Sequence, residues 1–136
     1  MNYIHYKSGY KYQLCESYSV SVSIKPSGDI VTDYVRLTKD GILSMVKGYA
    51  WDGPSGPAVD TKEFMRASLV HDALYQLIRL GLLSLCCREF ADLELLRICR
   101  EDGMSKWYSY IAYLVVRALG GSCCDSAREN PIIQAP

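Results

Sequence analysis

His71 and the aspartate that follows it, Asp72, are the residues of this chain best suited to acid–base chemistry. The sequence has two histidines, and His71 lies in an apolar segment whose residues recur at the spacings of a helix face. A carboxylate that holds one imidazole nitrogen fixes the tautomer and leaves the other nitrogen to take a proton from water. The pattern therefore predicts a general base for hydrolysis. The alternative is a core histidine that is hydrogen-bonded to a neighbour.

Three predicted helices in the second half of the chain would position these side chains. Asp60-Thr61-Lys62-Glu63 has the pattern of a capping box, which predicts a first helix over 61–80 that ends before Gly81. The second helix is predicted over 88–101 and the third over 105–119, and glycines follow both.

A partner carboxylate for His71 is expected from the second predicted helix. Two helices that are joined by a short connection usually pack antiparallel. Asp92 follows His71 by 21 residues, which covers the rest of one helix, a turn and part of the helix that returns. We therefore predict that Asp92 lies within hydrogen-bonding distance of one His71 nitrogen.

The first third of the chain has the pattern of a small antiparallel β-meander. Apolar residues alternate over 10–24, and two further apolar runs follow over 30–37 and 42–46, with turn signals between them. The segment 48–57 has three Gly and two Pro, so we expect it to break any regular element and to leave backbone carbonyls free.

These elements predict an α+β fold, with an N-terminal antiparallel β-meander followed by three α-helices. The first two helices form an antiparallel pair that carries the His-Asp site. A length of 136 residues predicts one domain, here over 1–121, with the meander over 10–47, the Gly/Pro loop over 48–59 and the helices over 60–120. A flexible C-terminal tail is predicted over 122–136, where periodicity is lost.

Charge and composition exclude several classes of function. Fifteen basic and fifteen acidic residues balance, so no nucleic-acid partner is expected. The most apolar stretch, 110–119, contains Arg117 and is shorter than the roughly 20 residues of a membrane span. The N-terminus lacks the pattern of a secretory signal, which predicts a cytoplasmic protein whose six cysteines are reduced thiols rather than disulfides.

The glycine-rich loop also suggests a cation site. Hard cations such as Ca²⁺ take oxygen ligands, and Asp72 together with loop carbonyls would form an incomplete cage with room for water and substrate.

The motif His71-Asp72-x-x-Tyr75, preceded by a Gly-rich loop and followed by Ala91-Asp92, resembles the catalytic core of the phospholipase A2 family. It is most similar to the disulfide-free type in parvovirus capsid proteins. The resemblance implies a Ca²⁺-dependent lipid ester hydrolase. His71 would be its general base, Asp72 its Ca²⁺ ligand, Asp92 the residue that orients His71, and Tyr75 a support for this network. By analogy of position with that family's loop, the backbone carbonyls of Trp51, Gly53 and Ser55 would be further Ca²⁺ ligands. Asp52 is either an additional ligand or a residue that caps a turn.

Over about 10–120 the chain also resembles an uncharacterised family of small tailed-phage and prophage proteins. The shared features are the strand-rich start, the segment Gly-Tyr-Ala-Trp-Asp-Gly-Pro-Ser-Gly-Pro and the helix with His-Asp-Ala-Leu-Tyr. This resemblance implies a viral protein in the host cytoplasm that could also be incorporated into the virion. The alternative to a phospholipid or other ester hydrolase is a non-catalytic virion or assembly protein of the tail or neck, or a host-interaction protein. In that alternative other phage structural proteins are the partners, and the His-Asp network is structural.

Overall fold

The computed structural model describes residues 4, 6–7, 12–51 and 61–124, without the side chains of 6, 7, 122 and 123. The chain divides into two compact units, with the strands within residues 1–52 and the helices within residues 53–129. Antiparallel strands come first and three α-helices follow, which confirms the predicted α+β class.

The strands form two antiparallel sheets in the first unit. One sheet has the order β1-β2-β7 and the other has the order β3-β6-β5-β4. The strands are β1 (Tyr6–Lys7), β2 (Tyr12–Leu14), β3 (Tyr18–Ser21), β4 (Ile30–Val31), β5 (Val35–Leu37), β6 (Ile42–Met45) and β7 (Ala50–Trp51). The predicted antiparallel meander is present as β4-β5-β6, and the other strands extend it to two sheets.

The prediction that no regular element forms in 48–57 is wrong for β7. This strand pairs with β2, so that Tyr12 lies opposite Trp51, and their ring centroids are 5.6 Å apart. The prolines of the segment all come after Trp51, whereas Tyr49, Ala50 and Trp51 are compatible with a strand. The Gly and Pro content of the whole ten-residue segment therefore does not indicate the short strand in its first half.

The four-stranded sheet buries one face, as its period of two predicts. Val35 lies opposite Met45 and Leu37 opposite Leu43, and all four side chains are fully buried. Each such side chain contributes about 1.5–3 kcal/mol through its removal from water.

The described part of the second unit contains three α-helices, namely α1 (Lys62–Arg79), α2 (Arg88–Glu101) and α3 (Lys106–Leu119). The helix predictions are confirmed to within one or two residues. The N-cap of α1 is Thr61, which makes no side-chain capping bond among the described residues, and the predicted cap Asp60 lies outside them. Ser105 caps α3, because its hydroxyl accepts a hydrogen bond from the Tyr108 amide at 3.1 Å.

The first two helices pack antiparallel, as predicted. Arg66 near the start of α1 donates to Asp102 just beyond the end of α2, at 2.8 Å from Nη2 to Oδ1. Further along α1, His71 contacts Asp92 near the start of α2. Fourteen of the 18 residues of α1 are buried, so α1 is the central helix of this unit.

Short 3-10 helices precede α2 and follow α3, at Leu85–Cys87 and Gly120–Cys124. The second one overlaps the start of the tail predicted over 122–136, and residues 125–136 lie outside the described part of the chain. None of the described helices combines the length and the apolar character needed to cross a bilayer. No disulfide bond joins the cysteines whose side chains are described, which are Cys15, Cys86, Cys87, Cys99 and Cys124.

We expect Gly41→Ala to destabilise the fold and Gly28→Ala to leave it nearly unchanged. Gly41 has a φ of +89°, and a Cβ there would lie 2.6 Å from the Val22 carbonyl oxygen. The left-handed backbone alone costs a residue with a Cβ about 1–2 kcal/mol, and the overlap adds to this cost. A Cβ at Gly28 would meet no atom within 4 Å. Denaturant unfolding of both variants checks the difference, and equal midpoints would contradict it.

Candidate functional site

The central contact of the candidate site is a hydrogen bond between His71 and Asp92. The imidazole Nε2 lies 2.7 Å from Oδ1 of the carboxylate, which confirms the predicted proximity. His71 is 6% exposed and Asp92 is 0% exposed. The helix periodicity and the antiparallel packing bring together two residues that are 21 positions apart in the sequence.

Asp92 accepts hydrogen bonds from three side chains. Tyr75 Oη donates to Oδ1 at 2.5 Å, the oxygen that also contacts His71, and Arg117 Nη1 donates to Oδ2 at 2.9 Å. The Tyr75 ring also packs on the imidazole, with ring centroids 4.0 Å apart. Tyr75 therefore contacts both members of the pair, through a hydrogen bond to Asp92 and a ring contact with His71.

These donors hold Asp92 in its ionised form. Burial alone would raise the pKa of its carboxyl, but the hydrogen bonds from His71, Tyr75 and Arg117 outweigh burial and lower the pKa below 3.8. Burial and the adjacent carboxylate raise the pKa of Tyr75, so this residue stays protonated and remains a donor. An ionised Asp92 requires a proton on His71 Nε2, and the neutral imidazole then has its lone pair on Nδ1.

The other imidazole nitrogen faces Asp72. Nδ1 lies 3.9 Å from Asp72 Oδ1, and the Asp72 side chain is 35% exposed. Burial alone would lower the pKa of His71, but the carboxylates of Asp72 and Asp92 outweigh burial and raise it above 6.5. The imidazole thus has one nitrogen held by a buried carboxylate and the other beside a partly exposed one.

Two arginines complete the network, and the sequence does not identify either of them as a site residue. Arg117 belongs to the last turn of α3. Arg88, the first residue of α2, donates from Nε to Tyr75 Oη at 3.2 Å and from Nη2 to the carbonyls of Val116 and Arg117, both at 2.8 Å. The sequence does contain one signal for Arg117, which interrupts the apolar stretch 110–119. A charged residue in such a stretch must find a partner or reach solvent.

Gly120 allows the end of α3 to approach Tyr75 closely. A Cβ at this position would lie 2.7 Å from Tyr75 Oη and 3.2 Å from its ring, whereas at Gly121 the nearest atom, in Arg88, would be 3.7 Å away. The Tyr75 side chain is buried and its hydroxyl is already bonded to Asp92 and Arg88. Tyr75 therefore cannot move away without giving up these bonds.

The predicted calcium ligands are only partly within the described residues. Asp72 offers a partly exposed carboxylate, and Trp51 belongs to β7 in the first unit, where its side chain is buried. Gly53 and Ser55, like Asp52, lie outside the described residues. Among the residues that the structure describes, no group of three or more His, Cys, Asp or Glu side chains is placed to hold a metal ion. The Ca²⁺ site stays a prediction.

Comparisons of the chain with protein-family models, with curated proteins and with solved structures found no match. The catalytic roles of His71, Asp92 and Tyr75 stay predictions that depend on the geometry of the site. The resemblances to a phage family and to phospholipase A2 stay predictions as well.

We expect Gly120→Ala to disturb the site and Gly121→Ala to leave it intact. The new methyl group at Gly120 would displace Tyr75 from Asp92, and overpacking of this kind costs about 1–3 kcal/mol. Denaturant unfolding measures the loss, and Tyr75 ring signals in NMR spectra show whether the hydroxyl has moved. If Gly120→Ala is as stable as Gly121→Ala, the close approach of Gly120 to Tyr75 does not exclude a larger residue at position 120.

The site should make stability depend on pH at both ends of the range. Folding raises the pKa of His71 above 6.5. The contribution of His71 to the free energy of unfolding is therefore complete below about pH 6.5 and is lost as pH rises through the folded-state pKa. The pKa of Asp92 is lowered below 3.8, so its contribution is present above about 3.8 and is lost as pH falls through its folded-state pKa. Urea unfolding between pH 3 and pH 9 tests both limbs. His71→Gln should flatten the alkaline limb, and an unchanged alkaline limb would contradict this assignment.

Proposed function

We propose that this chain is a phage-encoded, phospholipase A2-like hydrolase of lipid esters that uses His71 as a general base. The observation that supports this most directly is the 2.7 Å contact between His71 Nε2 and the buried Asp92 carboxylate, which Tyr75 shares. A carboxylate so placed orients the imidazole and stabilises its protonated form. It also directs the lone pair to Nδ1.

The proposed reaction begins with water beside His71. Nδ1 takes a proton from the water while the water oxygen forms a bond to the ester carbonyl carbon. Asp92 stabilises the resulting imidazolium without taking its proton. The imidazolium then gives that proton to the leaving alkoxide as the bond between the carbonyl carbon and the alkoxide oxygen breaks, so that a carboxylic acid and an alcohol are released.

Asp72 is the described residue best placed to hold a calcium ion. Its carboxylate is a hard oxygen donor, lies close to Nδ1 and is partly exposed. When bound, Ca²⁺ would polarise the ester carbonyl and stabilise the developing oxyanion. The remaining ligands in this proposal are the loop carbonyls predicted at Trp51, Gly53 and Ser55.

An exposed apolar face of α3 supports a lipid as the substrate. Trp107 is 75% exposed, and Tyr110, Ile111 and Leu114 are also exposed, at helix spacings that place the four side chains on one face. Tryptophan and tyrosine suit the boundary between water and lipid because their rings are both apolar and polar. The protein would act in the host cytoplasm or as part of the virion.

A second candidate is a non-catalytic virion, assembly or host-interaction protein in which the same network is structural. The observation that favours it is that Asp92 on α2 bonds to His71 and Tyr75 on α1 and to Arg117 on α3. A buried network of this kind can hold three helices in register without any turnover.

A lipid hydrolysis assay with phospholipid vesicles distinguishes the two candidates. We expect the parent protein to release fatty acid in the presence of Ca²⁺, and a chelator to abolish the release. His71→Gln should lower the rate by at least about 100-fold, the scale of a lost general base. Asp72→Asn should raise the Ca²⁺ concentration that gives half-maximal activity, because the amide removes the charge that a hard cation needs.

Asp40→Asn is the matched control for Asp72→Asn, because Asp40 is an exposed aspartate in the strand-containing unit. Its activity should equal that of the parent. His71→Gln also serves as the control for host lipase that copurifies with the protein. If parent and His71→Gln release fatty acid at the same rate, or if neither releases any, the hydrolase proposal is wrong and the structural candidate gains support.

A further inference from the structure

Arg117 joins α3 to the buried carboxylate of the site. Its Nη1 donates to Asp92 Oδ2 at 2.9 Å, while His71 and Tyr75 contact Oδ1. The torsion that turns an aspartate carboxylate is soft, so two contacts to Oδ1 leave the plane of the carboxylate loosely defined. The contact from Arg117 to the other oxygen fixes that plane.

The end of α3 is itself held in place. Arg88 donates to the backbone carbonyl of Arg117 and to that of Val116, and it also contacts the Tyr75 hydroxyl. Gly120 then passes close to Tyr75. The backbone of Arg117 is therefore fixed by the same side chains that surround Asp92.

The guanidinium of Arg117 lies between the buried Asp92 carboxylate and solvent. Asp92 is fully buried, whereas the Arg117 side chain is 31% exposed. Beside Arg117 is a depression of about 310 Å³, lined by Leu85, Cys86, Arg88, Glu89, Arg117 and Gly121. Small cations from solvent can therefore reach the neighbourhood of the Arg117 side chain.

We propose that Arg117 is a positioning residue that orients Asp92 toward His71, and that a small guanidinium ion entering from the depression can replace its side chain. This inference rests on the proposed function, since the oriented pair is the general base of that reaction. A buried carboxylate needs a counter-charge and donors of matching geometry. Arg117 provides both from outside the α1–α2 pair.

The test is chemical rescue of Arg117→Ala. We expect kcat for vesicle hydrolysis to fall roughly 10- to 100-fold, the scale known for the loss of a residue that orients a metal ligand. KM should stay within about twofold of the parent value, because Arg117 does not contact the substrate in this proposal. Methylguanidinium chloride at concentrations too low to unfold the protein should restore kcat in a saturable way. Urea, which is similar in shape but uncharged, should not restore it.

Arg97→Ala is the matched control. Arg97 is a half-exposed arginine of α2 that pairs with Glu94 and Glu101 rather than with Asp92. Its removal should leave kcat unchanged, and methylguanidinium should have no effect on this variant.

A second readout does not depend on turnover. In ¹⁵N-labelled protein, the Nε2 proton of His71 should give a protected signal in the parent and in Arg97→Ala. That signal should be lost or broadened in Arg117→Ala and return with methylguanidinium. If the parent does not hydrolyse vesicles, the proposed function fails, while this signal still decides whether Arg117 positions the pair.

A folded Arg117→Ala variant with the kcat and the Nε2 proton signal of the parent would overturn the inference. Equal rescue by urea would overturn it as well. If Arg117→Ala does not fold, Arg117→Lys decides the question, because lysine keeps the charge but replaces the planar guanidinium, whose Nη1 contacts Oδ2, with a flexible ammonium group. An intermediate kcat or a weakened signal in that variant supports positioning, and parent-like values for both contradict it.

Discussion

The described helices are organised around one constraint, the burial of an ionised carboxylate. Taking the Asp92 charge out of water costs several kcal/mol unless donors surround it, and the side chain is completely inaccessible. His71 and Tyr75 reach it from α1 and Arg117 reaches it from α3. Moving α1 or α3 away from α2 would remove donors from Asp92, so the buried carboxylate favours the arrangement in which the three helices meet.

A second ion-pair cluster shows by contrast what is unusual about Asp92. Arg66 on α1 contacts Asp102 and Glu101 at the far end of α2, and Glu101 also pairs with Arg97. Arg97 and Glu101 reach solvent, and the two acids share Arg66 as a partner. That cluster joins the helix ends through one buried arginine that has two partly exposed acids as partners. At Asp92 the carboxylate itself is fully buried, and its three donors are a histidine, a tyrosine and an arginine from two other helices.

The parts of the site that follow from local periodicity could be predicted from the sequence, and the parts that depend on three-dimensional packing could not. The pairing of His71 with Asp92 follows from two helix patterns and the residue count between them. The contacts from Arg88 and Arg117 depend on where the end of α3 lies, and its path after Gly103 is set by side-chain packing rather than by any pattern. The strand Ala50–Trp51 was missed for a similar reason, because its partner β2 is more than 30 residues away in sequence.

The burial of α1 has a consequence for the dynamics of the site. Most surface helices have one exposed side and can open locally, whereas α1 has fourteen of its 18 residues buried. Its amides should exchange with deuterium only through openings close in free energy to global unfolding of the helical unit. His71 and Tyr75 are therefore attached to the slowest-exchanging part of that unit. The His71–Asp92 pair is therefore expected to be preformed in the folded protein rather than assembled by local fluctuations.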